Sequence, residues 1–96
     1  MTLVGAGGVT IKRLAKLRRF ERDYLRLGDE YVDKKLKDLL QNPMPPGLRF
    51  EKLKGYSNPD IYTIHVTGNI KISMSIDGSV ATLRRLGTHD EIGRNP

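Results

Sequence analysis

The sequence contains no cysteine, which excludes a disulfide framework and a thiolate metal site and suits a reducing compartment. It has no apolar run long enough to span a bilayer. The opening segment, MTLVGAGGVTIKR, lacks the ordered basic segment, apolar stretch and cleavage pattern of a secretory signal, so a cytoplasmic location is expected. Gly5, Gly7 and Gly8 match neither the dinucleotide fingerprint nor the Walker spacing, and residues 1–8 read as a mobile leader. Ser73 and Ser75 stand without the base-and-acid pattern of a serine hydrolase. Acidic side chains are outnumbered: 17 Lys and Arg against 11 Asp and Glu leave a formal charge of +6.

A surplus of that size on a small surface makes a field that polyphosphates feel, and nucleic acid is the leading partner class. With 96 residues, the chain is read as one domain, 1–96, with a single core. Val9 to Arg13 could form a first strand. Leu14, Leu17, Phe20, Tyr24 and Leu27 then recur at helical spacing. Gly28 is placed to end that helix in a left-handed cap and Asp29 to start the next. The second helix carries Val32, Leu36, Leu39 and Leu40 on its apolar face and stops before Pro43, Pro45 and Pro46. The outer faces hold Lys16, Arg18, Arg19, Arg22 and Arg26, then Lys34, Lys35 and Lys37, in a pattern that usually marks a solvated surface.

Beyond the prolines, Leu48 to Lys54, Ile61 to Val66, Ile70 to Ile76 and Val80 to Arg85 read as four extended runs. Turn signals separate them, with Gly55 to Asp60, Gly68-Asn69 and the strong hairpin pair Asp77-Gly78 between successive runs. The fold class is α+β: a helical hairpin packed on an antiparallel sheet of about four strands, in two layers. Alternation puts Tyr62, Ile64, Val66, Ile70, Ile72 and Met74 against the helices. It leaves Thr63, His65, Lys71 and Ser73 on a face expected to be open, polar and basic. Both histidines of the chain, His65 and His89, fall in this part of the sequence.

These features, in this order, resemble the RelE/ParE superfamily of toxins from toxin–antitoxin systems. The resemblance runs from about Ile11 onward: the helical hairpin, the proline link, Lys52-Leu53-Lys54-Gly55, the Ile61 to Ile76 hairpin, and a last strand entering Gly87-Thr88-His89. His65 and the Leu-Gly-Thr-His ending are most similar to the YafQ-like branch of ribosome-dependent messenger RNA endonucleases. The resemblance implies a small RelE-like fold, a cognate antitoxin, messenger RNA and the ribosome as partners, no cofactor and no membrane. It implies His89 as general acid, His65 or Glu51 as general base, and Arg85 and Lys71 on the phosphate, with Thr63, Arg84, Lys52 and Lys54 as further substrate contacts.

The chemistry suits those residue types. Attack of a ribose 2′-hydroxyl on the adjacent phosphorus needs a proton acceptor, a donor to the leaving 5′-oxygen, and cations around the phosphate. Histidine serves both proton roles near neutral pH. The chain also departs from the family pattern. Glu51 stands where close members carry histidine, Asn69-Ile70 replaces an acid-aromatic pair, Met74 replaces a tyrosine, and no aromatic follows His89. Strict alternation from Val80 places Arg84 beside Thr82, whereas the resemblance selects Arg85, which a bulge near the strand end would permit. Other readings of the same residues are a metal site from His65, His89 and Asp90, base stacking by Tyr56 and Tyr62 rather than core or turn roles, and a non-enzymatic module. That module would be either a ParE-like inhibitor of DNA gyrase or a toxin-like domain without catalysis.

Overall fold

A computed structural model describes residues 9–96; the expected leader lies outside them. The order of elements is β1 (Arg13–Lys16), α1 (Arg18–Leu27), α2 (Glu30–Leu39), β2 (Glu51–Lys52), β3 (Tyr62–His65), β4 (Ile70–Asp77), β5 (Val80–Thr88) and α3 (His89–Arg94), with a 3₁₀ turn at Pro46–Leu48 before β2. The α+β class holds, with one more strand than expected. The sheet is five-stranded, in the order β1-β5-β4-β3-β2.

The extra strand corrects the reading of the N-terminal part. Leu14 continues the helical spacing of Leu17 and Phe20, so the pattern ran the helix through residues that are extended. Arg13 to Lys16 instead pair parallel with Val80 to Leu83. The chain before them is held by Ser79, whose carbonyl accepts the amides of Lys12 and Arg13 at 2.8 and 3.3 Å, and by Ile11, which is buried. The strand expected over Val9 to Arg13 therefore starts only where β5 offers a partner.

Between the helices, Asp29 caps α2 as expected, its carboxylate accepting the amide of Val32 at 3.0 Å. Gly28 is not left-handed: its φ is −68°. Its lack of a side chain matters because a Cβ there would come within 2.5 Å of the Tyr24 carbonyl and 2.6 Å of its ring. Val32 and Leu39 are buried, while Leu40 caps the helix and is exposed. Phe20, Val32 and Leu39 share one core with Ile64, Ile72, Met74, Leu83 and Leu86, which puts the α1–α2 hairpin on one face of the sheet. Phe50 stacks on Tyr62 there, with ring centroids 5.4 Å apart. The extended run expected from Leu48 is shorter, because Pro46 to Leu48 turn first and only Glu51 and Lys52 pair with β3.

The Asp77-Gly78 turn joins β4 to β5, with Gly78 at φ 61°. Partway along this pair the register shifts: Met74 lies opposite Leu83, but Ser73 lies opposite Arg85. Arg84 is thus the extra residue of a β-bulge, and Arg85 moves onto the face of Ser73 while Leu86 drops into the core.

That second face is not open along its whole length. β5 runs on to Thr88 and passes directly into α3, which packs against β4 and β5. A Cβ on Gly87 would stand 2.7 Å from Glu91 Oε1 of α3, and Gly87 shares its face with Lys71 and His65 through the register. α3 therefore covers part of this face, with Ile92 buried apart from the main core. Thr63 and Ser73, expected to be accessible, are fully buried, and Lys71 is 7% exposed. No helix among the described residues is long and apolar enough to cross a membrane.

Candidate active site

The two imidazoles meet. The ring centroids of His65 and His89 are 5.1 Å apart in an edge-to-face arrangement. His65 closes β3, and the chain turns at once: the amides of Val66 and Thr67 donate to the carbonyl of Ile70, and Thr67 Oγ1 accepts the amides of Asn69 and Ile70. The same turn holds His89, whose amide donates to the carbonyl of Asn69 at 3.1 Å. Thr88 fixes the start of α3 by a reciprocal capping box, accepting the amide of Glu91 at 3.2 Å while Glu91 Oε1 accepts the amide of Thr88 at 2.9 Å. His89 is consequently the first residue of an ordered helix.

Lys71 lies opposite His65 across β3 and β4. Its ammonium approaches Glu51 Oε1 at 3.9 Å, with Lys71 nearly covered and Glu51 more than half exposed. The pKa of His65 is held below its ordinary 6.5, first by partial burial, then by the positive charges of Lys71 and Arg49 and by His89, with Glu51 opposing them. The His65 ring is therefore neutral at pH 7, with a free lone pair. Four of the anticipated residues, His65, His89, Lys71 and Glu51, thus stand together.

The others do not join them. Arg85 is turned to α1, where its Nε–H donates to Asp23 Oδ2 at 2.7 Å and its Nη1 to the carbonyl of Asn95 at 3.2 Å. Arg84 donates from Nε to the carbonyl of Pro96 at 3.3 Å. Lys52 pairs with Asp60 at 3.4 Å, and Lys54 is exposed beyond the end of β2. Thr63 is sealed, its Oγ1 without a hydrogen-bond partner, as is the Oγ of Ser73 opposite. Burial disqualifies Thr63 as a surface contact in this conformation. Asp90 pairs with Arg94 at 3.8 Å, and no three metal-binding side chains cluster among the described residues. Tyr62 packs against the core, and Tyr56 donates its hydroxyl to the carbonyl of Gly93 at 3.0 Å.

Two residues escaped the sequence reading. Asp23 sits one place from Tyr24 on the inward face of α1, and an acid at a core-facing helical position signals a buried cationic partner. Arg49 acts on His65. It follows the 3₁₀ turn with a left-handed backbone, outside β2, where no strand period signals it.

No protein-family model matches this sequence, and no curated protein matches it. Solved structures do. A copper-bound mutant toxin from Helicobacter pylori is 20% identical with a TM-score of 0.70, over 85% of this chain and 99% of that one. The E. coli DinJ-YafQ toxin–antitoxin complex matches at 20% identity and TM-score 0.68, over 85% and 98%. The archaeal RelE-RelB complex from Pyrococcus horikoshii OT3 matches at 18% and 0.59, over 82% and 96%. The chain therefore has the fold of the RelE- and YafQ-like proteins along nearly their full length.

Proposed function

We propose that this chain is the toxin of a type II toxin–antitoxin pair and acts in the cytoplasm as an endoribonuclease on messenger RNA at the ribosome. The observation that carries the reading is the His65–His89 pair, 5.1 Å between ring centroids, beside the covered ammonium of Lys71. Neutral His65 takes the proton of the ribose 2′-hydroxyl as its oxygen bonds to phosphorus. His89, as the general acid, gives a proton to the 5′-oxygen as the phosphorus–oxygen bond breaks, leaving a 2′,3′-cyclic phosphate and a free 5′-hydroxyl. Lys71 steadies the charge that gathers on the phosphate. Glu51, exposed and near Lys71, is the alternative base.

The fold supports the partner as well. Structures of the same fold are complexes of a toxin with an antitoxin, DinJ-YafQ among them, and a basic chain of this kind suits an acidic or amphipathic partner segment. The test is in vitro translation with primer extension. Cuts within the reading frame that vanish in His89→Ala support the nuclease; uncut message together with inhibited gyrase supercoiling supports the ParE-like reading instead.

A further inference from the structure

Arg85, the arginine expected on the phosphate, is occupied. Its Nε and Nη2 face Asp23 at 2.7 and 3.5 Å and its Nη1 faces the Asn95 carbonyl. A guanidinium so engaged has few donors left. The histidine pair still needs a fixed cation, because charge gathers on the two non-bridging oxygens in the transition state and Lys71 is a point charge already directed at Glu51.

Arg49 meets the requirement. The 3₁₀ turn Pro46–Leu48 lies against β3, and Arg49 follows it directly, two residues before Glu51 pairs with Thr63. His65, Lys71 and Gly87 form one row across the sheet, and α3, which begins at His89, lies over the Gly87 end of it. The residue is held in place by its neighbours: Leu48 and Phe50 are both buried, while Arg49 between them is exposed. Its backbone is left-handed, φ 53° and ψ 51°, and its amide donates to the Pro46 carbonyl at 3.1 Å. Residues other than glycine seldom adopt that conformation, and such positions cluster where a site is preorganised. Among the described residues its guanidinium has no hydrogen-bond or ion-pair partner. Its charge nonetheless reaches His65.

We infer that Arg49, not Arg85, is the arginine that grips the scissile phosphate, donating paired N–H groups to its non-bridging oxygens beside His65. The inference rests on the nuclease reading for its purpose but not for its measurement. The planar fork matches two phosphate oxygens as Lys71 cannot, and the exposed position lets the phosphate arrive without moving α3. Arg49 forms and breaks no covalent bond in the step.

The test uses the whole chain and a trinucleotide whose central 2′-hydroxyl is replaced by hydrogen, so that it binds without cyclising. Binding is followed by NMR through the His65 and His89 ring signals. Wild type is expected to bind with an upward shift of the His65 pKa, since an anion arrives beside it. Arg49→Asn, which tolerates the left-handed backbone, is expected to weaken binding at least about tenfold, and Arg49→Lys to recover part of it. Arg22→Gln, on the exposed face of α1, is the comparison and should bind as wild type. Equal binding by Arg49→Asn and wild type overturns the inference, as does failure of the wild type to bind. If message is never cut yet Arg49→Asn loses the trinucleotide, the anion site stands and the nuclease reading falls. If message is cut and Arg49→Asn cuts and binds unchanged, the reverse holds.

Discussion

Asp23 of α1 and Arg85 of β5 form a nearly buried ion pair at 2.7 Å, and the same carboxylate accepts the amide of Leu86 at 3.0 Å just past the bulge. This contact ties the first helix to the half of β5 that β1 does not cover. Burial alone would raise the Asp23 pKa, but the Arg85 hydrogen bond, the Leu86 amide, the Arg85 charge and the Arg26 hydrogen bond outweigh it and hold the pKa below 3.8. Asp23→Asn leaves Arg85 enclosed without its counter-charge and is expected to cost about 3 kcal/mol in urea unfolding, with an unchanged slope. In wild type, the stability supplied by the depressed pKa is fully present above about pH 4 and is lost as pH falls through the folded value. Asp23→Asn should flatten that part of the stability-versus-pH curve; a curve of unchanged shape would assign the acid sensitivity elsewhere.

His65 gives a pH dependence of the opposite origin. Its folded pKa lies below 6.5, so the unfolded chain binds the proton more readily, and stability rises with pH between the folded value and about 6.5. Acidification through that window should destabilise wild type, and His65→Gln should remove the slope. Cleavage should keep its full base-limited rate down to a pH below 6.5, since the ring must be neutral to accept a proton. An NMR titration placing the His65 midpoint above 6.5 would contradict both statements.

Much of this was legible in the residues, and the failures share a cause. The Asp77-Gly78 hairpin, the Asp29 cap and the placing of His65 and Lys71 on one face follow from local turn chemistry and a period of two, and they stand. β1 was expected too early, over Val9 to Arg13, because its four extended residues carry a leucine that continues the next helix's spacing. α3 was missed because His89–Arg94 is six residues with one buried apolar side chain, Ile92, too short to show periodicity. Its signal was Thr88-x-x-Glu91, a capping box written in the sequence. Missing α3 led to the expectation of an open sheet face, and so to Thr63 as a substrate contact. The engagement of Arg85 was not legible because a sequence does not show which arginine the inward acid of α1, Asp23, will take.

Thr63 Oγ1 and Ser73 Oγ lie opposite each other in the sheet, buried and without hydrogen-bond partners. A hydroxyl in that state forfeits its hydration and gains nothing in return. Thr63→Val keeps the shape and removes the hydroxyl, and should stabilise the fold by about 1 kcal/mol; Ser73→Ala should be neutral or stabilising within about the same amount. Neither should slow cleavage, because neither group reaches the surface. A fall in stability would mean that the hydroxyls are satisfied in solution, and a fall in cleavage with stability intact would return Thr63 to the site.

Gly87 lies beneath Glu91, and the cleavage geometry depends on their closeness. A Cβ at Gly87 would stand 2.7 Å from Glu91 Oε1 and 3.4 Å from Glu91 Cβ and Cδ, so Gly87→Ala forces the carboxylate out of its bond to the Thr88 amide. The capping box is then half lost, at about 1 kcal/mol, and the first turn of α3 shifts. That turn begins with His89, whose distance from His65 is set by it. Gly87→Ala is therefore expected to fold with a modest loss in urea stability but to cut message at least about tenfold more slowly. Glu91→Gln, which retains the acceptor, should behave nearly as wild type. In the double variant Gly87→Ala with Glu91→Ala the collision has gone, so its stability should match that of Glu91→Ala alone, a non-additive result expected only if the two residues act through this one contact. Additive losses would show that the added methyl is felt elsewhere in the sheet.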